Sequence, residues 1–167
     1  MVSHSSRLHL DDEDPAPAAG IAVALLSVAA DRLWDDSSDD WPVWEQLVPH
    51  LNALYSYFGA KLADDDLAVL ARVATWGAMA FVWAGYYPAS QDLAESALAY
   101  TARLGADHPA VLHLRSQVAV ALELRGKAAE AEHEYRDILA GQTRVPGPDH
   151  PMTWNTQSTL AALVART

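Results

Sequence analysis

The chain has 167 residues, no cysteine and a formal net charge of −11, and 51% of its residues are hydrophobic. This length suits one domain with a core of its own, and the lack of cysteine excludes disulfides and thiolate chemistry. An acidic chain without a basic stripe repels nucleic acid, and the sequence shows neither a signal-peptide pattern nor an apolar run of membrane-spanning length. These features predict a soluble, cytoplasmic protein with no nucleic-acid or membrane partner.

The first 64 residues predict an acidic leader followed by two helices. Residues 1–14 are polar and predict a flexible leader, and helices are predicted over 15–34 and 41–59 with the acidic run DDSSDD between them. Asp40 suits the N-cap of the second helix. Pro49 predicts a kink or a break within that helix, because proline lacks the backbone N–H that the helix needs.

Tryptophans concentrate in the first half of the chain. The rings of Trp34, Trp41 and Trp44 favour a core in which the helices of 15–64 pack on the following segment and cap it. A ligand box built from the same three rings is the alternative.

The rest of the chain predicts helical hairpins. Five helices are predicted, over 67–85, 86–105, 108–126, 127–145 and 150–167. Gly85 and Gly126 each join a first helix directly to a second, as in the hairpins of an α-solenoid. The predicted repeats cover 65–105 and 106–146, with a partial third over 147–167. The predicted fold is therefore an all-α, right-handed solenoid.

The motif Gly-x-Asp-His-Pro occurs at 105–109 and again at 147–151, a spacing of 42 residues. The Asp and His of each copy could be metal ligands, but a zinc site needs three or four converging ligands and the two copies lie a whole repeat apart. No HxxxH or HExxH grouping joins them to another histidine. We therefore expect no metal site.

A structural reading of the motif assigns each residue a place between two helices. Asp107 and Asp149 are predicted N-caps of the helices that follow. The proline of each copy suits the first helical turn, and the glycine ends the preceding helix or shapes the linker. The histidines are expected to pack against the neighbouring inter-repeat loop.

Two segments with the 42-residue period carry a resemblance to a known family. LRGKAAEAEHEYRDIL at 124–139 and GPDHPMTWNTQSTLAALV at 147–164 resemble the tetratricopeptide repeat (TPR) in its kinesin light chain-type variant, over about residues 65–167. Ala128 stands where that variant usually has an aromatic residue. The segment DDWPVWEQLVPHLNALYSYFG at 39–59 looks like the piece that precedes such repeats in bacterial STAND-type (NB-ARC) signalling ATPases. There the repeats form a C-terminal sensor arm, but this chain has no GxxxxGK[ST] loop.

Catalytic motifs are missing from the sequence. There is no GxSxG nucleophile elbow and no glycine-rich phosphate loop. Glu130, His133 and Glu134 could be read as an acid/base cluster, but a solvated helix face balanced by Lys127 and Arg136 explains them. We predict no catalytic residue, no cofactor and no enzymatic activity.

The first helices of stacked hairpins line one concave surface, so their exposed residues predict a continuous groove. The predicted groove residues are Arg72, Thr75, Trp76, Met79, His113, Ser116, Gln117, Val120, Asn155, Ser158 and Thr159. The resemblance implies that amides at the Gln117 and Thr159 positions hold the backbone of an extended peptide, a pattern weakened here by the threonine. Trp76 and Met79 would form an apolar pocket and Arg72 would meet an acidic group, unless Trp76 belongs to the core.

The last predicted helix carries an apolar stripe of Trp154, Leu160 and Val164. This edge would be buried against another copy, as in a homodimer, or against the remainder of a longer protein. The predicted function is a non-enzymatic scaffold or sensor that binds a protein or peptide in its groove. The alternative is the autoinhibitory or oligomerising arm of a STAND-type signalling ATPase or transcriptional regulator.

Overall fold

The structure, a computed structural model, describes residues 16–34 and 41–166. Within these residues the chain is an all-α, right-handed solenoid with no strand. Its helices are α1 Ala16–Trp34, α2 Trp41–Phe58, α3 Asp64–Trp83, α4 Tyr87–Thr101, α5 Pro109–Leu124, α6 Ala128–Arg144 and α7 Pro151–Val164, with a short 3-10 turn at Ala102–Leu104. The predicted leader at 1–14 and the predicted Asp40 cap lie outside the described residues.

Two antiparallel hairpins, α3–α4 and α5–α6, form the middle of the solenoid. Each turns at a glycine with positive φ, 83° at Gly85 and 79° at Gly126, a conformation that side chains with a Cβ rarely adopt. In the first hairpin the Tyr86 amide donates to the Phe81 carbonyl at 2.8 Å, which closes the end of α3. The same bond recurs one repeat later, so both predicted hairpin turns are confirmed.

Small residues allow the helices of these hairpins to approach closely. Ala78 in α3 and Ala119 in α5 are fully buried, and a large buried residue such as Leu122 follows about a turn later. This small-then-large pattern does not hold in α7, where Leu163 is buried and Val164 is 45% exposed. α7 packs mainly on α6, and the side of α7 that carries Ala161 and Val164 is exposed.

The two N-terminal helices, α1 and α2, both pack against α3. Trp44 of α2 is buried, and its ring lies so near Gly77 of α3 that an added Cβ would sit 3.1 Å from it. Tyr55 of α2 stacks on Tyr100 of α4 with ring centroids 5.0 Å apart. Trp44 is therefore a core residue, while the side chains of the other two tryptophans of the alternative ligand box lie outside the description.

Helix α2 runs unbroken through Pro49, so of the predicted kink or break the break is wrong. Proline removes one helical hydrogen bond, to the carbonyl four residues earlier. Pro49 lies on the exposed side of α2, where water can solvate that carbonyl. Leu51 and Tyr55 after it are almost fully buried, and this packing stabilises the helical turns that follow the proline.

Helix α3 is the centre of the solenoid and contacts α1, α2, α4 and α5. It is also, among the described helices, the one long and apolar enough to cross a membrane, with 20 residues and a mean hydropathy of 1.3. A buried core helix has the same length and composition, and half of that stretch is buried inside the protein. Its first turn carries Asp64, Asp65 and Asp66, where the helix dipole favours negative charge.

Candidate functional site

A groove of about 430 Å³ lies between α3 and α5, the first helices of two successive hairpins. The lining residues are Ala68, Arg72, Thr75, Trp76 and Met79 from α3 and His108, Pro109, Ala110, His113 and Gln117 from the start of α5. Six of them are among the predicted groove residues. The α-solenoid thus brings side chains 41 positions apart, such as Trp76 and Gln117, onto one surface.

The wall contributed by α3 is mostly apolar. Trp76 is half-buried; it faces the groove and also packs against the core, so both predicted roles describe part of its surroundings. Met79 lies one turn further along α3, on the same wall. Thr75 is buried and its hydroxyl donates to the Ala71 carbonyl at 2.9 Å, which leaves mainly its methyl group for a ligand.

Arg72 is held in place by three contacts. Its guanidinium carbon lies 4.7 Å above the centre of the Trp76 ring, a cation–π arrangement. One guanidinium nitrogen donates to the Ser27 hydroxyl at 2.9 Å, and the other lies 3.5 Å from a carboxylate oxygen of Asp31. Because Arg72 and Asp31 are each about half exposed, this ion pair is weak and a ligand carboxylate could compete for it.

The titratable groups that line the groove are all basic. They are Arg72, His108 and His113, and no carboxylate is among the described lining residues. On a chain with net charge −11, this is a local departure from the overall acidity. Of these three groups, Arg72 is the one that always carries charge, so it is the side chain of this lining that would pair with an acidic group of a ligand.

His113 marks the end of the groove that points toward α7. Its Nε2 lies 3.0 Å from the Met152 sulfur. Burial among these neighbours, and then the proximity of His150, lower the pKa of His113. The neutral imidazole is therefore the favoured form in the fold.

Five predicted groove residues lie outside this cavity. Ser116 and Val120 are half-buried on α5, where the Ser116 hydroxyl donates to the Leu112 carbonyl and Val120 packs against the core. Asn155 and Ser158 are exposed on α7, and Thr159 donates to the Asn155 carbonyl at 3.0 Å.

The first turn of α5 is the part of the groove that the sequence did not predict. The groove is lined there by His108, Pro109 and Ala110, and on the facing helix α3 by Ala68, which was also not predicted. The Gly-x-Asp-His-Pro motif is the signal that could have located this turn, because a solenoid places the start of each first helix beside its predecessor.

The N-caps at the two motifs are histidines, so the predicted aspartate caps are wrong. The Ala110 amide donates to Nδ1 of His108 at 3.2 Å, and the Met152 amide donates to Nδ1 of His150 at 3.3 Å. In each ring Nδ1 is the accepting atom. The histidines thus cap their own helices, and the packing of their rings against the neighbouring inter-repeat loop stays a prediction. The prolines take the first helical position, as predicted.

Asp107 forms a bidentate ion pair with Arg144, at 2.7 and 2.9 Å. The hydrogen bond from Arg144 lowers the pKa of the Asp107 carboxyl. The Asp107 carboxylate therefore pairs with Arg144 at the end of α6, 37 residues away, and the N-cap of α5 is His108.

The alternative acid/base cluster on α6 is a set of ion pairs. Glu134 bonds Arg115 at 2.6 Å, Glu130 bonds Lys127 at 3.1 Å, and His133 lies 3.9 Å from Asp137. Each carboxylate thus has a nearby cation. Among the described residues, no three His, Asp or Glu side chains are grouped as metal ligands.

The predicted C-terminal edge is partly exposed. Trp154 and Val164 of α7 are 59% and 45% exposed, whereas Leu160 packs against the core. The apolar surface of this edge is therefore smaller than the predicted stripe of three residues.

Comparison with solved structures places the fold among TPR-like repeat proteins. One match is a Podosopora anserina protein described as a kinesin light chain with nearly identical TPR-like repeats, at 18% identity and a TM-score of 0.59. A single-substitution variant of that protein matches at 17% identity and a TM-score of 0.57. The alignments cover 87% and 90% of this chain, and 66% and 67% of the matched chains. At such identities the likeness concerns the fold alone.

No family model matches the chain, and no curated protein matches it. By its fold the chain is similar to TPR-like repeat proteins.

Proposed function

We propose that the chain is a non-enzymatic, cytoplasmic protein-binding module that holds an extended peptide in the groove between α3 and α5. The observation that carries this proposal is the meeting of six predicted groove residues, from two helices, around one volume of about 430 Å³. That volume lies within the range of small ligand pockets. It suits one or two side chains of a peptide that continues along the concave surface.

Each wall of the groove has a distinct role in this proposal. Trp76 and Met79 receive an apolar side chain of the peptide, since aromatic and thioether groups give a large contact area that adapts to its shape. The Gln117 amide, half-buried on α5, donates to and accepts from the peptide backbone. Arg72 pairs with an acidic group of the peptide, in competition with Asp31.

The test is a random-peptide selection against the whole chain, repeated with Trp76→Ala and Gln117→Ala variants. We expect an enriched motif with an apolar and an acidic residue, and about a tenfold or greater loss of affinity in each variant. Gln157→Ala, on the exposed surface of α7, is the matched control and should bind like the wild type. Circular dichroism checks that each variant is folded.

An unaltered affinity in both folded groove variants would contradict the proposed site. A motif lost also in Asn155→Ala would extend the site onto α7, in line with the longer predicted groove.

A second candidate function is that of a regulatory arm within a STAND-type signalling protein. The exposed Trp154 on α7 favours it, because such a ring is suited to a contact with another domain. An immunoblot of the native source distinguishes the two. A polypeptide much larger than 18.1 kDa supports the arm, and one near 18.1 kDa contradicts it.

A further inference from the structure

The outer face of α1 is apolar and exposed. Ile21, Leu25 and Val28 are 63%, 67% and 52% exposed, and their spacing of four and three residues puts them on one stripe of the helix. Residues 16–30 contain no charged side chain at all. An exposed helix face without charge is typical of a surface that another protein segment covers. It is unusual here because the chain as a whole has a net charge of −11.

A second cavity lies beside this stripe, between α1 and α2. Its volume is about 420 Å³, and its lining is apolar except for His50. The α1 wall consists of Ala22, Leu25, Leu26 and Ala29, and the α2 wall includes Leu54 and Tyr57. Small side chains on α1 leave room for another helix to approach closely, and the cavity can accept aliphatic side chains from it.

We propose that this surface joins two copies of the chain through antiparallel packing of α1 against α1. Leu25 is the central residue of α1, which runs from Ala16 to Trp34. Ile21 and Val28 flank Leu25 on the same stripe, so a twofold axis near Leu25 brings Ile21 of one copy opposite Val28 of the other. The stripe is self-complementary in this arrangement, which is the requirement for a twofold dimer.

The distribution of charge favours a second copy as the occupant. Two chains of net charge −11 repel each other over most of their surfaces, but residues 16–30 of α1 carry no charged side chain. Antiparallel packing also aligns the two helix dipoles favourably.

The proposed dimer leaves the α3–α5 groove accessible. Ser27, which bonds Arg72 at the groove, lies about 160° round α1 from Leu25 because of the helical period of 3.6 residues, and Asp31 lies about 120° from Leu25. One particle would then carry two grooves, and a ligand with two copies of a recognised motif would bind with avidity.

The first test measures the mass of the whole chain in solution by sedimentation. We expect twice 18.1 kDa for the wild type. Leu25→Glu should raise the dimer dissociation constant by about a hundredfold or more, since each dimer loses two buried leucines and gains two facing charges. Leu25→Met should keep the dimer. Trp154→Glu, a change of the same kind on the exposed surface of α7, should keep it as well.

The second test uses the absence of cysteine from the chain. Leu25→Cys should form a disulfide-linked dimer on mild oxidation, because residues next to a twofold axis meet their own copies. Trp154→Cys is the control and should not. A monomeric wild type at micromolar concentration would overturn the proposal. It would also be overturned by a dimer that survives Leu25→Glu and dissociates with Trp154→Glu, which would move the contact to α7.

Discussion

At the start of α5, one side chain caps the helix and its neighbour forms an ion pair. His108 caps the helix by accepting from the Ala110 amide, and Asp107 pairs with Arg144 at the end of α6. An aspartate ordinarily ranks above other side chains as a cap, so the sequence favoured Asp107. The competing ion pair is formed with a residue 37 positions away, and no local pattern could indicate it.

The cap predicts a measurable loss when the imidazole is removed. His108→Ala should lower the free energy of unfolding by about 1 kcal/mol, because the Ala110 amide loses its acceptor. His108→Asn should retain most of the stability, since an asparagine oxygen caps the same amide. Urea denaturation of the three proteins measures the difference.

His133→Ala is the control for this experiment. His133 is exposed on α6 and its one described contact is a 3.9 Å approach to Asp137, so its replacement should change the stability by less than about 0.5 kcal/mol. Equal losses at both histidines would show that the cap contributes nothing measurable.

At the scale of the helices, the sequence predicted most of the architecture. Glycines lie at the hairpin turns and prolines at the helix starts. Their backbone preferences do not depend on distant residues, so they indicate these boundaries from the sequence alone. Pro49 is the exception, because tertiary packing of Leu51 and Tyr55 overrides its local effect. Six of the predicted groove residues line the cavity where α3 and α5 lie side by side, and the continuation of the groove onto α7 stays a prediction.

The close packing of α6 on α5 depends on the lack of a side chain at Gly141. A Cβ there would lie 2.9 Å from both the Leu112 Cδ2 and the Asp107 Oδ1 atoms. Leu112 is almost fully buried and cannot move freely. We predict that Gly141→Ala destabilises the fold by about 1–3 kcal/mol, although alanine is intrinsically the better helix former.

Gly20 in α1 provides the matched comparison. A Cβ at Gly20 would have its nearest neighbour at 3.9 Å, an ordinary contact, so Gly20→Ala should stabilise the protein by about 0.5–1 kcal/mol. Thermal or urea unfolding of both variants measures the two effects. Opposite signs are expected, and stabilisation by both alanines would refute the argument about close approach.

At the scale of the whole molecule, each helix of the solenoid is held by its neighbours along the stack. α3 contacts four helices, whereas α7 packs mainly on α6. The described polar contacts of this region with α5 are the ion pair of Arg166 with Glu123 and the approach of Met152 to His113. In a solenoid, stability is approximately the sum of repeat and neighbour terms, so the ends open more easily than the middle.

Hydrogen exchange should reveal this gradient. We predict that the amides of α7 exchange through local opening at a lower free energy than those of α3 and α5, because fewer buried contacts must be broken. Leu163 is the main buried aliphatic residue of α7, and Leu163→Ala should speed exchange in α7 while leaving α3 unchanged. If the substitution sped exchange equally in α3, the chain would open as one cooperative unit. In that case residues of α7 such as Asn155 would be as rigidly held before ligand binding as the residues of the groove. Under the predicted gradient, by contrast, only the α3–α5 groove is rigidly preorganised.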